Sequence, residues 1–227
     1  VFLEEIPHMG QSAEIAWRDG TPIATRFDDP YFSLADGAAE TRHVFLDGND
    51  LPARFAPGFR VAELGFGTGL NLLLCWEAWR AAGIDGPITF TTFEAFPMAL
   101  PDMARALEAV GAPEDLAIEL LNGLSEGRHD FGDLRLELIE GDARETLPAW
   151  DGTADAWFLD GFSPAKNPEL WQDALLTEVA AHTAPGGTAA SYTAAGHVRR
   201  ALDAAGFEVV RAPGYGRKWH MTRARLR

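Results

Sequence analysis

The chain of 227 residues is long enough for one α/β core with a small appendage and too short for a second catalytic domain. Its 47% apolar and 23% charged residues are the balance of an ordinary globular protein, and no apolar run approaches the length that crosses a bilayer. A net charge of −15 argues against extended nonspecific adhesion to nucleic acid, although the C-terminal part is locally basic, with Arg199, Arg200, Arg211, Arg217, Lys218, Arg223, Arg225 and Arg227.

In chain order, Glu14 to Thr25 alternate weakly around Arg18-Asp19-Gly20, which predicts a hairpin. The segment Phe27-Asp28-Asp29-Pro30-Tyr31-Phe32-Ser33 is dense in aromatics and acids. Helical spacing resumes over Ala38–Phe45 and is broken by Gly48-Asn49-Asp50 and Pro52. Residues 1–57 therefore read as an N-terminal hairpin and helical cap, and residues 58–227 as the main domain. There the pattern alternates strand and helix, as in a doubly wound α/β sheet. Arg60–Leu64 is a strand, and a helix runs from about Leu70 to Ala82 with Cys75 on it. Ile88–Phe93 is a strand ending in Glu94. Ala104–Val110 and Leu116–Leu124 read as helices. Leu134–Ile139 is a strand, pairing with His129–Phe131 across Gly132-Asp133 and leading to Gly141-Asp142. Asp155–Leu159 ends in Asp160. Leu170–His182 is a helix stopped by Pro185-Gly186-Gly187, Thr188–Tyr192 a strand, and His197–Ala205 the last helix. Phe207–Arg211 and Trp219–Thr222 finish the sheet. The single cysteine excludes an internal disulfide, and the six histidines are dispersed, so no metal site is expected. The N-terminus lacks a basic region followed by an apolar one, and a cytoplasmic protein without membrane contact is expected.

The chain is organised around Val61–Leu74, an apolar run, three glycines and a helix. Gly65, Gly67 and Gly69 let the backbone take positive φ and bring its amides close to a ligand. The dinucleotide-binding spacing is G-x-G-x-x-G, whereas here it is G-x-G-x-G, with Glu63 two residues ahead. A carboxylate in that place repels a pyrophosphate and suits a ligand carrying an ammonium and a sulfonium. S-adenosylmethionine has both, and it is the expected cofactor. Four acids, Glu63, Glu94, Asp142 and Asp160, fall at the carboxyl ends of strands, where open α/β sheets bind ligands. Glu94 suits the ribose hydroxyls, Asp142 the adenine amino group and Glu63 the methionine ammonium. Taken singly, each acid also suits a helix cap.

Asp160 opens the segment Asp160-Gly161-Phe162-Ser163-Pro164-Ala165-Lys166-Asn167-Pro168, which two prolines and a glycine make stiff. Such a loop holds an acid, an aromatic ring and a lysine in fixed relation. Methyltransferases acting on nitrogen often place an acid or amide, a proline and an aromatic here to grip an amine and its planar ring. A substrate-holding loop is the expectation, and a structural turn the alternative.

These segments, together with Glu40-Thr41-Arg42-His43-Val44-Phe45-Leu46 and Gly214-Tyr215-Gly216-Arg217-Lys218, resemble the methyltransferase part of the bifunctional tRNA 5-methylaminomethyl-2-thiouridine biosynthesis (MnmC) family and its stand-alone MnmD relatives. Tyr215 stands where phenylalanine is expected, and Trp219-His220 is atypical after the Arg-Lys pair. The resemblance implies a class I S-adenosylmethionine-dependent methyltransferase with a Rossmann-like sheet. It implies methyl transfer to the aminomethyl nitrogen of 5-aminomethyl-(2-thio)uridine, a wobble uridine in the anticodon region of tRNA. An FAD-dependent oxidase, separate or fused, is the implied partner. The expected cofactor set is Glu63, Gly65, Gly67, Gly69, Asn71, Glu94, Asp142 and Asp160, with Asp160 also the catalytic residue facing the amine. The expected substrate set is Tyr31, Phe162, Pro164, Lys166, Arg217 and Lys218. Two readings from other classes are a nicotinamide- or flavin-linked oxidoreductase acting on a CH-NH group and a noncatalytic nucleotide-binding partner of a tRNA-modifying complex. Glu63 and the tight glycine spacing count against the first, and the full acid set counts against the second.

Overall fold

The computed structural model describes residues 12–33 and 36–227, so the first eleven residues of the expected cap lie outside the described residues. Strands β1 (Ile15–Arg18), β2 (Thr21–Ala24) and β3 (Asp29–Pro30) form a small antiparallel sheet. Its first turn has Asp19 at φ 49° and Gly20 at φ 80°, the two positive values that a two-residue type I′ hairpin needs. Helix α1 (Gly37–Thr41) starts where the Asp36 side chain accepts from the Ala39 amide at 3.0 Å, and it runs on through a π-helical turn to Leu46. Val44, Phe45, Leu51 and Phe55 then pack into the same apolar cluster as Val61, Leu73 and Trp76. This part of the cap is thus built into the main core.

The main sheet consists of β4 (Arg60–Leu64), β5 (Ile88–Glu94), β6 (Leu134–Glu140), β7 (Ala154–Leu159), β8 (Thr183–Ser191), β9 (Phe207–Pro213) and β10 (His220–Leu226), in the spatial order β6-β5-β4-β7-β8-β10-β9. The first five are mutually parallel, while β10 lies antiparallel between β8 and β9. Period-two alternation divides the core between the faces. Ala156 and Phe158 join α2 (Leu70–Ala82), α3 (Leu100–Val110) and α4 (Glu114–Ser125) on one side. Trp157 and Leu159 face α5 (Ala143–Ala149), α6 (Asp173–Ala181) and α7 (Gly196–Ala204) on the other.

Most elements fall within a few residues of their expected places. Helix α5, however, is absent from the sequence reading; it is short and carries Pro148 in its last turn. The expected helix over 170–182 is split, with a 3-10 turn at Pro168–Trp171 ahead of α6. Pro185-Gly186-Gly187 does not stop that helix, which has ended by His182; it lies inside β8, where the register against β7 shifts. Among the described residues no helix is long and apolar enough to cross a membrane, and no group of acids, histidines and cysteine is placed to hold a metal ion.

Candidate active site

The order of the sheet reverses between β4 and β7, and a cleft of about 1540 Å³ opens at the carboxyl ends of β4, β5 and β7. The turn between β4 and α2 forms its floor, with Gly65 at φ 88° and Gly67 at φ 53°. A Cβ on Gly67 would come within 3.2 Å of the Tyr31 ring, so the glycine keeps the floor bare. Gly69, at φ 79°, starts α2, faces Phe66, Leu120 and Met103, and does not itself line the cleft.

Glu94 lines the cleft at the end of β5, and its two oxygens accept from the Gly67 amide at 3.0 Å and the Phe96 amide at 2.8 Å. The Phe66 and Ala95 amides also pull on the carboxylate. Burial raises the Glu94 pKa against the pull of those amides. Asp142 also lines the cleft, but it caps α5 through the Arg144 amide at 2.9 Å and is gripped by the Arg144 guanidinium, which holds its carboxyl below the usual range. An adenine amino group accepted by Asp142 would share this half-exposed carboxylate with Arg144.

Glu63 requires a correction. It is fully buried beneath the cleft, accepting from Asn71 Nδ2 at 2.8 Å and from the Thr92 hydroxyl at 2.8 Å, and burial puts its pKa well above the ordinary carboxylate range. It therefore offers no surface to an ammonium. Asn71 stands between: its Nδ2 also donates to Asp160 Oδ2 at 2.7 Å, and its Oδ1 accepts from Thr41 at 3.0 Å. Asp160 Oδ1 takes the Gly161 amide at 2.8 Å. Burial pushes Asp160 up to about 6, with Asn71, Gly161 and the nearby Lys218 pulling the other way.

The wall above Asp160 is aromatic. Phe162 stacks on Phe27 at 4.7 Å and meets Tyr31 edge-on at 5.1 Å. The loop after Asp160 is pinned to the small sheet: Ser163 N donates to Asp29 at 2.8 Å, and Lys166 pairs with Asp28 and Asp29 at 3.6 and 3.4 Å. Lys166 is thus engaged by carboxylates, and Pro164 shapes the loop without lining the cleft. Lys218 lines the cleft, 2.7 Å from Glu40 and 4.3 Å above the Tyr192 ring, so it braces the wall instead of reaching outward. Arg217 is exposed outside the cleft. The cleft therefore gathers Tyr31, Gly65, Gly67, Asn71, Glu94, Asp142, Asp160, Phe162, Lys166 and Lys218, and leaves out Glu63, Gly69, Pro164 and Arg217. Sequence reasoning missed Glu40, Arg144 and Tyr192. Only Glu40 carried a signal, through the Glu40–Leu46 segment.

The bare glycine floor and the Glu94 carboxylate that lines the cleft beside it fit S-adenosyl-L-methionine. Residues 115–227 match the family described as S-adenosyl-L-methionine-dependent methyltransferase, the class that the fold and cleft define. The tRNA 5-methylaminomethyl-2-thiouridine biosynthesis bifunctional protein MnmC of Marinobacter nauticus is 43% identical over 236 residues, an overlap of 97% of this chain and 37% of that one. Its counterpart in Chromobacterium violaceum is 45% identical over 223 residues, covering 92% of this chain and 34% of that one. The crystal structure of MNMC2 from Aquifex aeolicus is similar with a TM-score of 0.76 and 27% identity, covering 97% of this chain and 72% of that chain. The chain belongs to the S-adenosyl-L-methionine-dependent methyltransferases of the MnmC family, and it spans little more than a third of the length of these curated relatives.

Proposed function

We propose that the chain methylates the aminomethyl nitrogen of 5-aminomethyl-(2-thio)uridine at the wobble position of tRNA, giving 5-methylaminomethyl-(2-thio)uridine. The observation that carries this reading is the Asp160 carboxylate, fixed by Asn71 and Gly161 between the glycine floor and the Phe162–Tyr31 wall. That arrangement suits an amine attached to a planar ring. The relatives' name supplies the tRNA context.

When bound, S-adenosyl-L-methionine supplies an electrophilic methyl group on a sulfonium. The backbone of Gly65–Gly67 would hold it, with Glu94 on the ribose hydroxyls. The substrate amine, with an unperturbed pKa near that of lysine, about 10.4, arrives mostly as an ammonium without a lone pair. Desolvation in the cleft and the Lys218 cation both favour the neutral amine. Asp160 accepts one N–H, aims the nitrogen lone pair and stabilises the positive charge that grows on nitrogen. Proton acceptance by Asp160 is secondary, and water can take the proton onward. Phe162 and Tyr31 pack against the uracil ring. We place an FAD-dependent oxidase activity, separate or fused, beside this one as the source of the amine.

A methyl-transfer assay with radiolabelled cofactor, on tRNA from a strain lacking the modification, tests the reading. Nucleoside analysis should find the label in 5-methylaminomethyl-(2-thio)uridine. Label in any other nucleoside, or none, would overturn it.

A further inference from the structure

Of the eight cations in the basic C-terminal part, four are matched by carboxylates. Lys218 pairs with Glu40 at 2.7 Å, Arg223 and Arg225 with Asp50 at 2.6 and 3.6 Å, and Arg227 with Asp203. Arg199, Arg200, Arg211 and Arg217 make no ion pair with any described residue. The topology puts all four at the carboxyl edge of the sheet, on the side where the cleft opens. Arg199 and Arg200 lie in the first half of α7, Arg211 near the end of β9, and Arg217 in the 214–219 loop between β9 and β10.

The same loop displays an indole. Trp219 is 87% exposed, and of the three exposed large apolar side chains among the described residues, Val210 and Trp219 are both on this hairpin. The exposure is built in by a braced backbone. Gly214 N donates to the Trp219 carbonyl at 3.2 Å and Lys218 N to the Tyr215 carbonyl at 3.0 Å. A Cβ on Gly214 would strike the Lys218 carbonyl at 2.1 Å, so the closure demands glycine. On the cap side, the Tyr215 hydroxyl reaches Asp36 at 3.3 Å and Lys218 holds Glu40. Two side chains of the loop are thereby tied down, and Arg217 and Trp219 are left exposed.

A flat aromatic surface beside guanidinium groups without carboxylate partners matches single-stranded nucleic acid, whose bases stack and whose phosphates need cations. We propose that the 214–219 loop docks the single-stranded RNA flanking the target nucleotide. Trp219 stacks on an unpaired base, and Arg217, with Arg199, Arg200 and Arg211, takes the phosphates. Lys218, in the same loop, lines the cleft, so a nucleotide on Trp219 lies next to the one being methylated. This inference rests on the tRNA reading above and adds the surface and the base contact.

The test is the affinity of the chain for an anticodon stem–loop RNA carrying 5-aminomethyluridine, measured against salt, with methyl transfer followed in parallel. Trp219→Ala should weaken binding about tenfold, within the range known for losing one base stack, and raise the KM for RNA with little change in kcat. Trp219→Phe should recover most of the affinity. Arg217→Ala should lower the slope of log affinity against log salt by about one unit at most. Affinity for S-adenosyl-L-methionine should stay constant throughout. If the wild type methylates the RNA and Trp219→Ala binds it with full affinity, the loop assignment alone is overturned. It is overturned too if Trp219→Phe is as weak as Trp219→Ala, or if Trp219→Ala leaves RNA binding intact and loses binding to an added oxidase domain. A wild-type chain that neither binds nor methylates the RNA sinks the functional reading and this inference with it.

Discussion

Asn71 Nδ2 lies 2.7 Å from Asp160 Oδ2, and the same nitrogen lies 2.8 Å from the buried Glu63. Both amide hydrogens are thereby committed, one to each acid. Removing the amide deprives the Asp160 carboxylate of a charge-assisted hydrogen bond of about 1.5–3 kcal/mol. Asn71→Ala should therefore lower kcat at least tenfold at neutral pH. It should also move the acid limb of the pH profile of kcat/KM upward, because a lost donor to the ionised form raises the carboxyl pKa. A profile that drops in height without shifting would point to a merely structural amide.

Asp160 itself titrates at about 6, raised by burial. The ionised form aims the amine, so kcat/KM should rise with pH through this value. Asp160→Asn keeps an acceptor and loses the charge. Its turnover should fall roughly 10²–10³-fold, by analogy with losing one preorganised electrostatic contact, and the limb near pH 6 should vanish. A folded, cofactor-binding Asp160→Asn enzyme with nearly full turnover would leave the 160–168 loop as scaffolding.

How much of this was legible beforehand depended on whether the information was local. The bounds of β4 and α2 follow from an apolar run, three glycines and a helical face, and they match the structure closely. The acids at strand ends were legible for the same reason. Which way Glu63 points was not, because a strand covered on both faces gives no alternation to read. The partners of Lys166, Lys218 and Arg144 lie in tertiary space or compete within one turn, so charge alone could not assign them. Helix α5 escaped because Pro148 imitates a breaker, although the structure tolerates it in the last turn.

Glu94 bridges the glycine turn and the cleft. Glu94→Gln keeps one acceptor oxygen but sets an amide NH₂ against either the Gly67 or the Phe96 donor. Cofactor affinity by calorimetry should drop at least tenfold, matching the loss of charge-assisted hydrogen bonds of about 1.5–3 kcal/mol. Unchanged affinity in a folded variant would remove Glu94 from the cofactor set.

Lys166 is paired with Asp28 and Asp29, and its side chain is 38% exposed. Such half-exposed pairs contribute at most about 1 kcal/mol. Lys166→Ala should lower the unfolding midpoint slightly and leave the salt slope of RNA binding unchanged. A slope reduced by about one would return Lys166 to the phosphate contacts.

The last prediction concerns Glu63, buried between Asn71 and Thr92 with a pKa well above its ordinary 4.5. A native state that binds a proton more tightly than the unfolded chain gains most from it at low pH. That gain is lost as pH rises from the unfolded value through the native one, at up to about 1.4 kcal/mol per pH unit. Glutamine can occupy the site, its oxygen accepting from Asn71 and its NH₂ donating to the Thr92 hydroxyl, which rotates to receive it. Glu63→Gln should therefore fold, and because residue 63 does not line the cleft, its cofactor affinity should stay within tenfold of wild type. Asp160 and Glu94 titrate in both proteins, and their negative charges also help to raise the Glu63 pKa, so they add to the difference in the same direction. Urea unfolding between pH 5 and 8 should show the stability of wild type relative to Glu63→Gln declining steadily as pH rises. A difference that stays flat across that range would mean that Glu63 does not carry the raised pKa. A collapse of cofactor affinity with the fold intact would restore Glu63 to direct contact with the ligand.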